Sequence, residues 1–304
     1  MESQKIYGGL EGGGTKFVCM VGRGPQDIIE EIRIPTTTPE ETVRQSIAFF
    51  ARHAKKVGLS ALGIASFGPL DLDESSPTYG HITATPKPGW TGADMLGRFR
   101  QAFDIPLAFE LDVNAAAFGE YYWVPENRCL DSLVYFTIGT GIGAGVIVNG
   151  QLVHGLVHPE AGHVRIPHDW QADPYPGCCP FHGDCFEGLA GGPAITERWG
   201  IPAETIPDDH PAWALEAGYV ALAMCNVILT LSPQRIVLGG GVMERRQLFP
   251  AIRQKVRGIL NNYISSPVIT GTMEKYILSP ALDKRSGVLG AIAMAKVLTE
   301  GERA

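Results

Sequence analysis

The chain lacks an apolar run long enough to span a bilayer. Its longest, Ala217 to Leu231 (AGYVALAMCNVILTL), falls short of the roughly 20 residues a membrane helix needs and contains Asn226. A buried core helix is expected there, and no membrane partner. The N-terminal stretch MESQKIYGGLEGGG reaches glycine before an apolar signal region can form, so no secretory leader is expected. Runs of Lys or Arg are missing too, and 25 basic residues face 32 acidic ones for a net charge of −7. A nucleic-acid partner therefore has nothing to bind, and an anionic substrate would have to be met by local groups. Cysteines number only six: Cys19, Cys129 and Cys225 lie apart in apolar contexts, while Cys178, Cys179 and Cys185 cluster with histidine. That distribution excludes a disulfide framework and suits a metal in a reducing, cytoplasmic compartment. Two phosphate-binding motifs are also absent. There is no G-x-x-x-x-G-K-[ST], and residues 139–145 lead into a strand where a dinucleotide fingerprint requires a helix.

What is present begins with length. A chain of 304 residues with 45% hydrophobic content can form two domains, each with its own core. IYGGLEGGGTKFVCMVG reads as strand, glycine turn, strand, and SLVYFTIGTGIGAGVIVNG at residues 132–150 repeats that design. The repetition predicts a duplicated α/β fold of two lobes with a central cleft that closes over a substrate. The expected division is an N-terminal lobe of residues 1–118, joined by a C-terminal helix at 287–304, and a second lobe of 119–286. Between the hairpins, a strand is expected at Ile32–Pro35. Thr38-Pro39-Glu40-Glu41 supplies an N-cap, a first-turn proline and a capping-box glutamate for a helix to about Lys56. Further strands are expected at Ala61–Ser66 and in PLAFELD, with a helix capped by Thr91 and a helical stretch from Asn114 to Trp123. In the second half, helices are expected near 212–232, 247–262 and 287–298, and a strand at Arg235–Gly240.

Glycine tips such as Gly12-Gly13-Gly14-Thr15-Lys16 and Gly139-Thr140-Gly141 let backbone amides point at an anion with no side chain in the way. Any one of them alone reads first as a tight hairpin. Two at equivalent places of a repeat, with Gly239-Gly240-Gly241 after a later strand, favour a nucleotide. His163 with Cys179, His182 and Cys185, the last three spaced C-x-x-H-x-x-C, matches a closed tetrahedral zinc site in a structural role. Cys178 is an alternate ligand. Glu160 and Glu187, each within three residues of a ligand, would be held together by the ion as acceptors for sugar hydroxyls. Asp112, ending an apolar strand, reads as a general base or as a helix N-cap with equal weight.

These residues resemble the ROK sugar kinases of the actin-like ATPase superfamily, and among them the zinc-containing bacterial fructokinases. The resemblance rests on Glu11 to Lys16, Gly68-Pro69, Thr83-Ala84-Thr85-Pro86-Lys87, Asp112 to Ala116, Thr137 to Gly145, His158 to His163, Cys179 to Glu187 and Gly239 to Gly241. It implies an actin-like, ribonuclease H-like fold and phosphoryl transfer from MgATP to the 6-hydroxyl of a hexose, fructose first among candidates. Asp112 would be the base, and Gly68, Glu160, His163 and Glu187 the sugar contacts with Asp112. Thr140, Gly191, Pro193, Gly240 and Gly241 would lie around ATP or ADP. A homodimer is also expected. Glu11 stands where many members have Asp, Leu111 where glucose and amino-sugar kinases have Asn, and Gly191 where fructokinases have Ser. Glucose, mannose and amino-sugar kinases are the enzymatic alternatives. Sugar-responsive repressors of the same family carry a DNA-binding segment ahead of the first hairpin, where about seven residues stand here.

Overall fold

In the computed structural model, which describes residues 5–301, the apolar residues around the first glycine turn form strands β1 (Tyr7–Gly12) and β2 (Lys16–Gly24). They pair antiparallel with Leu10 opposite Cys19. β3 (Asp27–Pro35) extends the meander and is longer than the expected Ile32–Pro35 segment. Its first six residues, DIIEEI, have little alternation, so its extended form comes from pairing with β2 and not from its own pattern. Thr38 caps α1 (Pro39–Val57) as expected, its hydroxyl accepting the Glu41 amide at 3.3 Å. β4 (Ala61–Ser66) is buried along its whole length between parallel neighbours, and its six apolar or small residues fit that setting.

α2 (Leu96–Ala102) starts later than a Thr91 cap would set it. Asp94 Oδ1 accepts the Gly97 amide at 2.7 Å and does the capping, while the Thr91 hydroxyl is spent on the Thr85 carbonyl. β5 (Leu107–Leu111) follows, and then α3 (Asp112–Trp123) and the single turn α4 (Pro125–Arg128). The first sheet has the order β3-β2-β1-β4-β5, antiparallel on the β2, β3 side and parallel on the β4, β5 side.

The second half repeats this plan. Its elements are β6 (Ser132–Ile138), β7 (Ile142–Val148), β8 (Gln151–Leu152), α5 (Phe186–Ala190), α6 (Gly192–Trp199) and α7 (Ala212–Leu231). β9 (Arg235–Gly239), α8 (Leu248–Leu260), α9 (Pro267–Thr270), β10 (Ile277–Leu278) and the last helix α10 (Ser286–Glu300) complete it. The sheet order β10-β9-β6-β7-β8 is the first order again, with β6 in the place of β1. By contacts the chain divides into two units. One holds the described residues up to Cys129, Gly150–Leu152 and the chain from Ala281; the other holds Leu130–Asn149 and Val153–Pro280. Residues 1–4 and 302–304, which the expected first lobe includes, lie outside the described residues.

In the first unit α10 lies directly on the sheet and crosses α3 at glycines. A Cβ at Gly63 would stand 1.9 Å from the Ala291 carbonyl, and one at Gly290 would stand 1.7 Å from the Ala115 carbonyl. Buried Glu120 on α3 fastens the entry to α10, accepting the Ala281 and Leu282 amides and the Ser286 hydroxyl. In the second unit α7 is the core helix the sequence predicts. It is the one described helix long and apolar enough to cross a membrane, yet 56% of its apolar window is buried, with Ala217, Val220, Met224 and Ile228 inside the main cluster.

Candidate active site and metal centre

The first unit carries a glycine tip and an acidic pair. Gly12 packs so closely on Phe17 that a Cβ would meet its ring at 2.9 Å. The tip carbonyls are held from the side: Gly12 O accepts the Phe67 amide at 2.7 Å, Gly13 O the Thr36 hydroxyl at 2.7 Å, and Thr15 O the Thr36 amide at 3.0 Å. Lys16 opens β2 and is exposed. Asp112 is the first residue of α3, with Leu111 at the N-cap position, so the carboxylate is not the cap that position alone suggested. Its Oδ1 accepts the Val113 amide at 2.8 Å. Gly68 borders the same strand end, since a Cβ there would meet Leu111 at 2.7 Å. Glu11 is pushed up to about 7, mainly by burial and then by the negative charge of Asp112, against the pull of the Val288 amide at 3.1 Å and of Lys16. Nothing in the local sequence of Glu11 signals this, because α10 supplies the enclosure.

The second unit brings its own glycine tip against a helix start. The Gly192 amide donates to Gly139 O at 2.7 Å, and a Cβ on Gly191 would lie 2.9 Å from the Glu187 carbonyl. Gly240, at φ +90°, sits where a Cβ would meet the Ile138 carbonyl at 2.4 Å, and one on Gly139 would lie 3.6 Å from the Gly241 amide nitrogen. Gly139, Thr140, Gly141, Gly191, Pro193, Gly240 and Gly241 are therefore gathered in one place. Beside them is a cavity of about 360 Å³ lined by Thr140, Gly192, Pro193, Thr196, Glu197, Ala203 and Glu204. Thr196, Glu197, Ala203 and Glu204 carried no sequence signal.

Glu187 joins this tip to the metal loop. One of its oxygens accepts the Ile142 amide at 2.8 Å, and the other stands 4.0 Å from His163 Nε2, short of a hydrogen bond. Glu160, expected beside Glu187, is more exposed and pairs with His158 Nδ1 at 3.2 Å. His163 ends a 3₁₀ turn that presses on the start of β7, where a Cβ on Gly162 would be 1.8 Å from the Ile142 carbonyl. The donor atoms of His163, Cys179, His182 and Cys185 all lie within 4.8 Å of one another. His163 Nδ1 is 3.7 Å from Cys179 Sγ and 3.5 Å from Cys185 Sγ, and His182 Nδ1 is 3.6 Å from Cys179 Sγ. Tetrahedral zinc with ordinary bond lengths spaces sulfur and nitrogen by about 3.6 Å, so the donor set fits that ion. Alone, burial pushes the Cys185 thiol up to about 11, and a divalent cation would reverse that preference. Cys178 is not among the converging donors; its amide donates to Gly188 O at 3.0 Å.

Behind the loop runs a buried polar network with no counterpart in the sequence expectations. Asp173 accepts Arg198 Nε at 3.1 Å and the Tyr219 hydroxyl. His168 bridges the Asp173 carbonyl at 2.9 Å and Asp184 Oδ2 at 3.3 Å, and Asp184 precedes the ligand Cys185. Arg198 on α6 also donates to the Leu189 carbonyl at 2.9 Å. The network thus ties the metal loop to the helix that lines the cavity.

Comparison with known proteins decides the family, since the profile of the ROK family matches residues 7–297. The chain belongs to the ROK family. Among ROK relatives, a fructokinase of Lactococcus lactis subsp. cremoris is 44% identical over 290 residues, covering 95% of this chain and 96% of its own. A fructokinase of Streptococcus mutans is 43% identical over 296 residues, covering 96% and 98%. A ROK hexokinase structure from Thermus thermophilus superposes with a TM-score of 0.77 at 24% identity, covering 98% of this chain and 100% of that one. That likeness bears out the duplicated α/β fold.

Proposed function

We propose that this ROK chain is a fructokinase, transferring the γ-phosphoryl group of ATP to the 6-hydroxyl of D-fructose to give fructose 6-phosphate and ADP. The observation that carries it is the near full-length likeness to fructokinases at more than 40% identity, and the chemistry of the site supports it. In this reading Asp112 accepts the proton of the 6-hydroxyl as O6 forms a bond to the γ-phosphorus and the bond to ADP breaks. Gly12, Gly13, Gly14, Thr15 and Lys16 bind phosphate on the first unit. On the second, Gly139, Thr140, Gly141, Gly191, Pro193, Gly240 and Gly241 hold the nucleotide beside the Thr140–Pro193 cavity. Gly68, Asp112, Glu160, His163 and Glu187 receive the sugar. Mg²⁺ entering with ATP would neutralise phosphate charge, and Glu11 with Asp112 are the acidic groups fit to hold it. Zinc on His163, Cys179, His182 and Cys185 would cross-link a loop too rich in glycine and proline to pack itself, and so steady the adjoining Glu187. The same reading takes the protein as a cytoplasmic homodimer, which sedimentation would check.

Sugar choice follows from Leu111, which offers no hydrogen bond beside the base, where glucose and amino-sugar kinases have Asn. The test is ADP release across fructose, glucose, mannose and N-acetylglucosamine. Fructose is expected to give the highest kcat/KM. Higher kcat/KM on another sugar would move the assignment to a sister kinase, and DNA binding at physiological salt with no turnover would replace the enzyme by a sugar-responsive regulator.

A further inference from the structure

The segment between the cis Gly68–Pro69 bond and α2 is irregular but firmly anchored, and it delivers a lysine to the first glycine tip. Thr83 returns its amide to the Pro69 carbonyl at 2.8 Å. Trp90 is wholly buried, donates its indole N–H to the Thr37 carbonyl at 2.9 Å, and packs on Phe17 and Phe67 with ring centroids 5.5 and 5.2 Å away. Phe17 is the ring beneath Gly12, so the strap and the tip share one support. Three residues before Trp90, the half-buried Lys87 donates its ammonium to the Gly14 carbonyl.

With that bond every carbonyl from Gly12 to Thr15 has a donor: the Phe67 amide, the Thr36 hydroxyl, Lys87 and the Thr36 amide. The amides are treated differently. Gly13 donates to the Lys16 carbonyl at 2.9 Å, while Gly14 and Thr15 donate to no protein acceptor among the described residues. Above Gly14 there is open space, since a Cβ there would meet nothing within 4 Å. A tip whose acceptors are covered and whose donors are left open is built for an anion. The ammonium on its rim is bonded to a neutral carbonyl, and a phosphate oxygen is a stronger acceptor by roughly twofold in energy.

We propose that Lys87 is a catalytic residue that leaves the Gly14 carbonyl to contact the transferring phosphoryl group. It keeps its protons throughout and only donates hydrogen bonds as charge builds on the phosphoryl oxygens, while Asp112 takes the proton of the sugar hydroxyl. This rests on the phosphoryl-transfer reading above.

The test measures kcat and KM with fructose for Lys87→Met and Lys87→Arg, with calorimetric binding of MgATP and MgADP in the absence of sugar. Lys87→Met is expected to lower kcat by about 10²-fold, the usual loss on removing one such donor. It should leave the fructose KM within about threefold and weaken MgATP more than MgADP, and Lys87→Arg should recover at least about tenfold of the rate. A Lys87→Met enzyme with kcat within about threefold of wild type overturns the proposal. So does equal weakening of both nucleotides with a lowered melting temperature and no recovery by arginine, which would make Lys87 a strap anchor only. If wild type binds MgATP but phosphorylates no hexose, the fructokinase reading fails, and the contrast between MgATP and MgADP still decides the role of Lys87.

Discussion

The crossing of α3 and α10 makes a single methyl group a test of how packing serves the site. In Gly290→Ala the new Cβ would stand 1.7 Å from the Ala115 carbonyl and 3.1 Å from the Gly119 amide nitrogen, both rigid helix backbone. Ordinary contact needs about 3.4 Å, so the helices must part by well over an ångström. Overpacking of this kind costs about 1–3 kcal/mol, and with backbone on both sides we expect the upper end, near 3 kcal/mol. At about 2–4 °C per kcal/mol for a chain of this size, the melting temperature should fall by roughly 6–12 °C. Function should suffer beyond stability, because α3 begins with Asp112. A shift of about 1 Å at a reacting group can cost about 10²-fold in rate. The control is Gly258→Ala on the exposed face of α8, where a Cβ meets nothing within 4 Å. There alanine should stabilise by up to about 1 kcal/mol through helix propensity alone. Calorimetric melting and fructose turnover read both variants. A Gly290→Ala enzyme that melts and turns over like wild type would refute the argument.

Other parts of the structure give further expectations. A strong chelator should remove about one zinc per chain, lower the melting temperature and raise the sugar KM; a chain that carries no zinc and keeps its stability would contradict the metal centre. Arg198→Met leaves Asp173, 4% exposed, without its cation and should cost about 3–5 kcal/mol in chemical denaturation; a loss below about 1 kcal/mol would show the network to be dispensable. Glu11, raised to about 7, favours the fold most when protonated. Its contribution is complete below about 4.5, the ordinary carboxyl value, and disappears as pH rises through about 7. Glu11→Gln should therefore flatten the decline of the nucleotide-free melting temperature between those values, and an unchanged profile would count against the burial argument.

Local signals were the readable ones. The glycine turns, the Thr38-Pro39 helix start and the C-x-x-H-x-x-C spacing each act within a few residues and are found as written, whereas Glu41 gives its carboxylate to Arg44 and Gln45 and closes no capping box on Thr38. Thr91 failed as a cap because its hydroxyl pairs with Thr85, donating to the carbonyl and accepting the amide, while Asp94, nearer the helix, holds the Gly97 amide. The distant features were invisible for a physical reason: their partners are far apart in the chain. Arg198 meets Asp173 from 25 residues away, and the Val288 amide reaches Glu11 across 277. Glu160 and Glu187 show the intermediate case, since attachment to one metal loop fixes their neighbourhood but not what each carboxylate bonds, His158 for one and Ile142 for the other. The sheet order repeated in both halves was legible only as the repeated hairpin that starts it.

The most direct test of the account is fructose-dependent ADP release by Asp112→Asn, measured beside nucleotide binding. Asparagine keeps the size of the side chain and removes its basicity, so turnover should fall by at least about 10²-fold while MgATP binds as in wild type. Turnover unchanged by the substitution would contradict Asp112 as the base and with it the proposed chemistry.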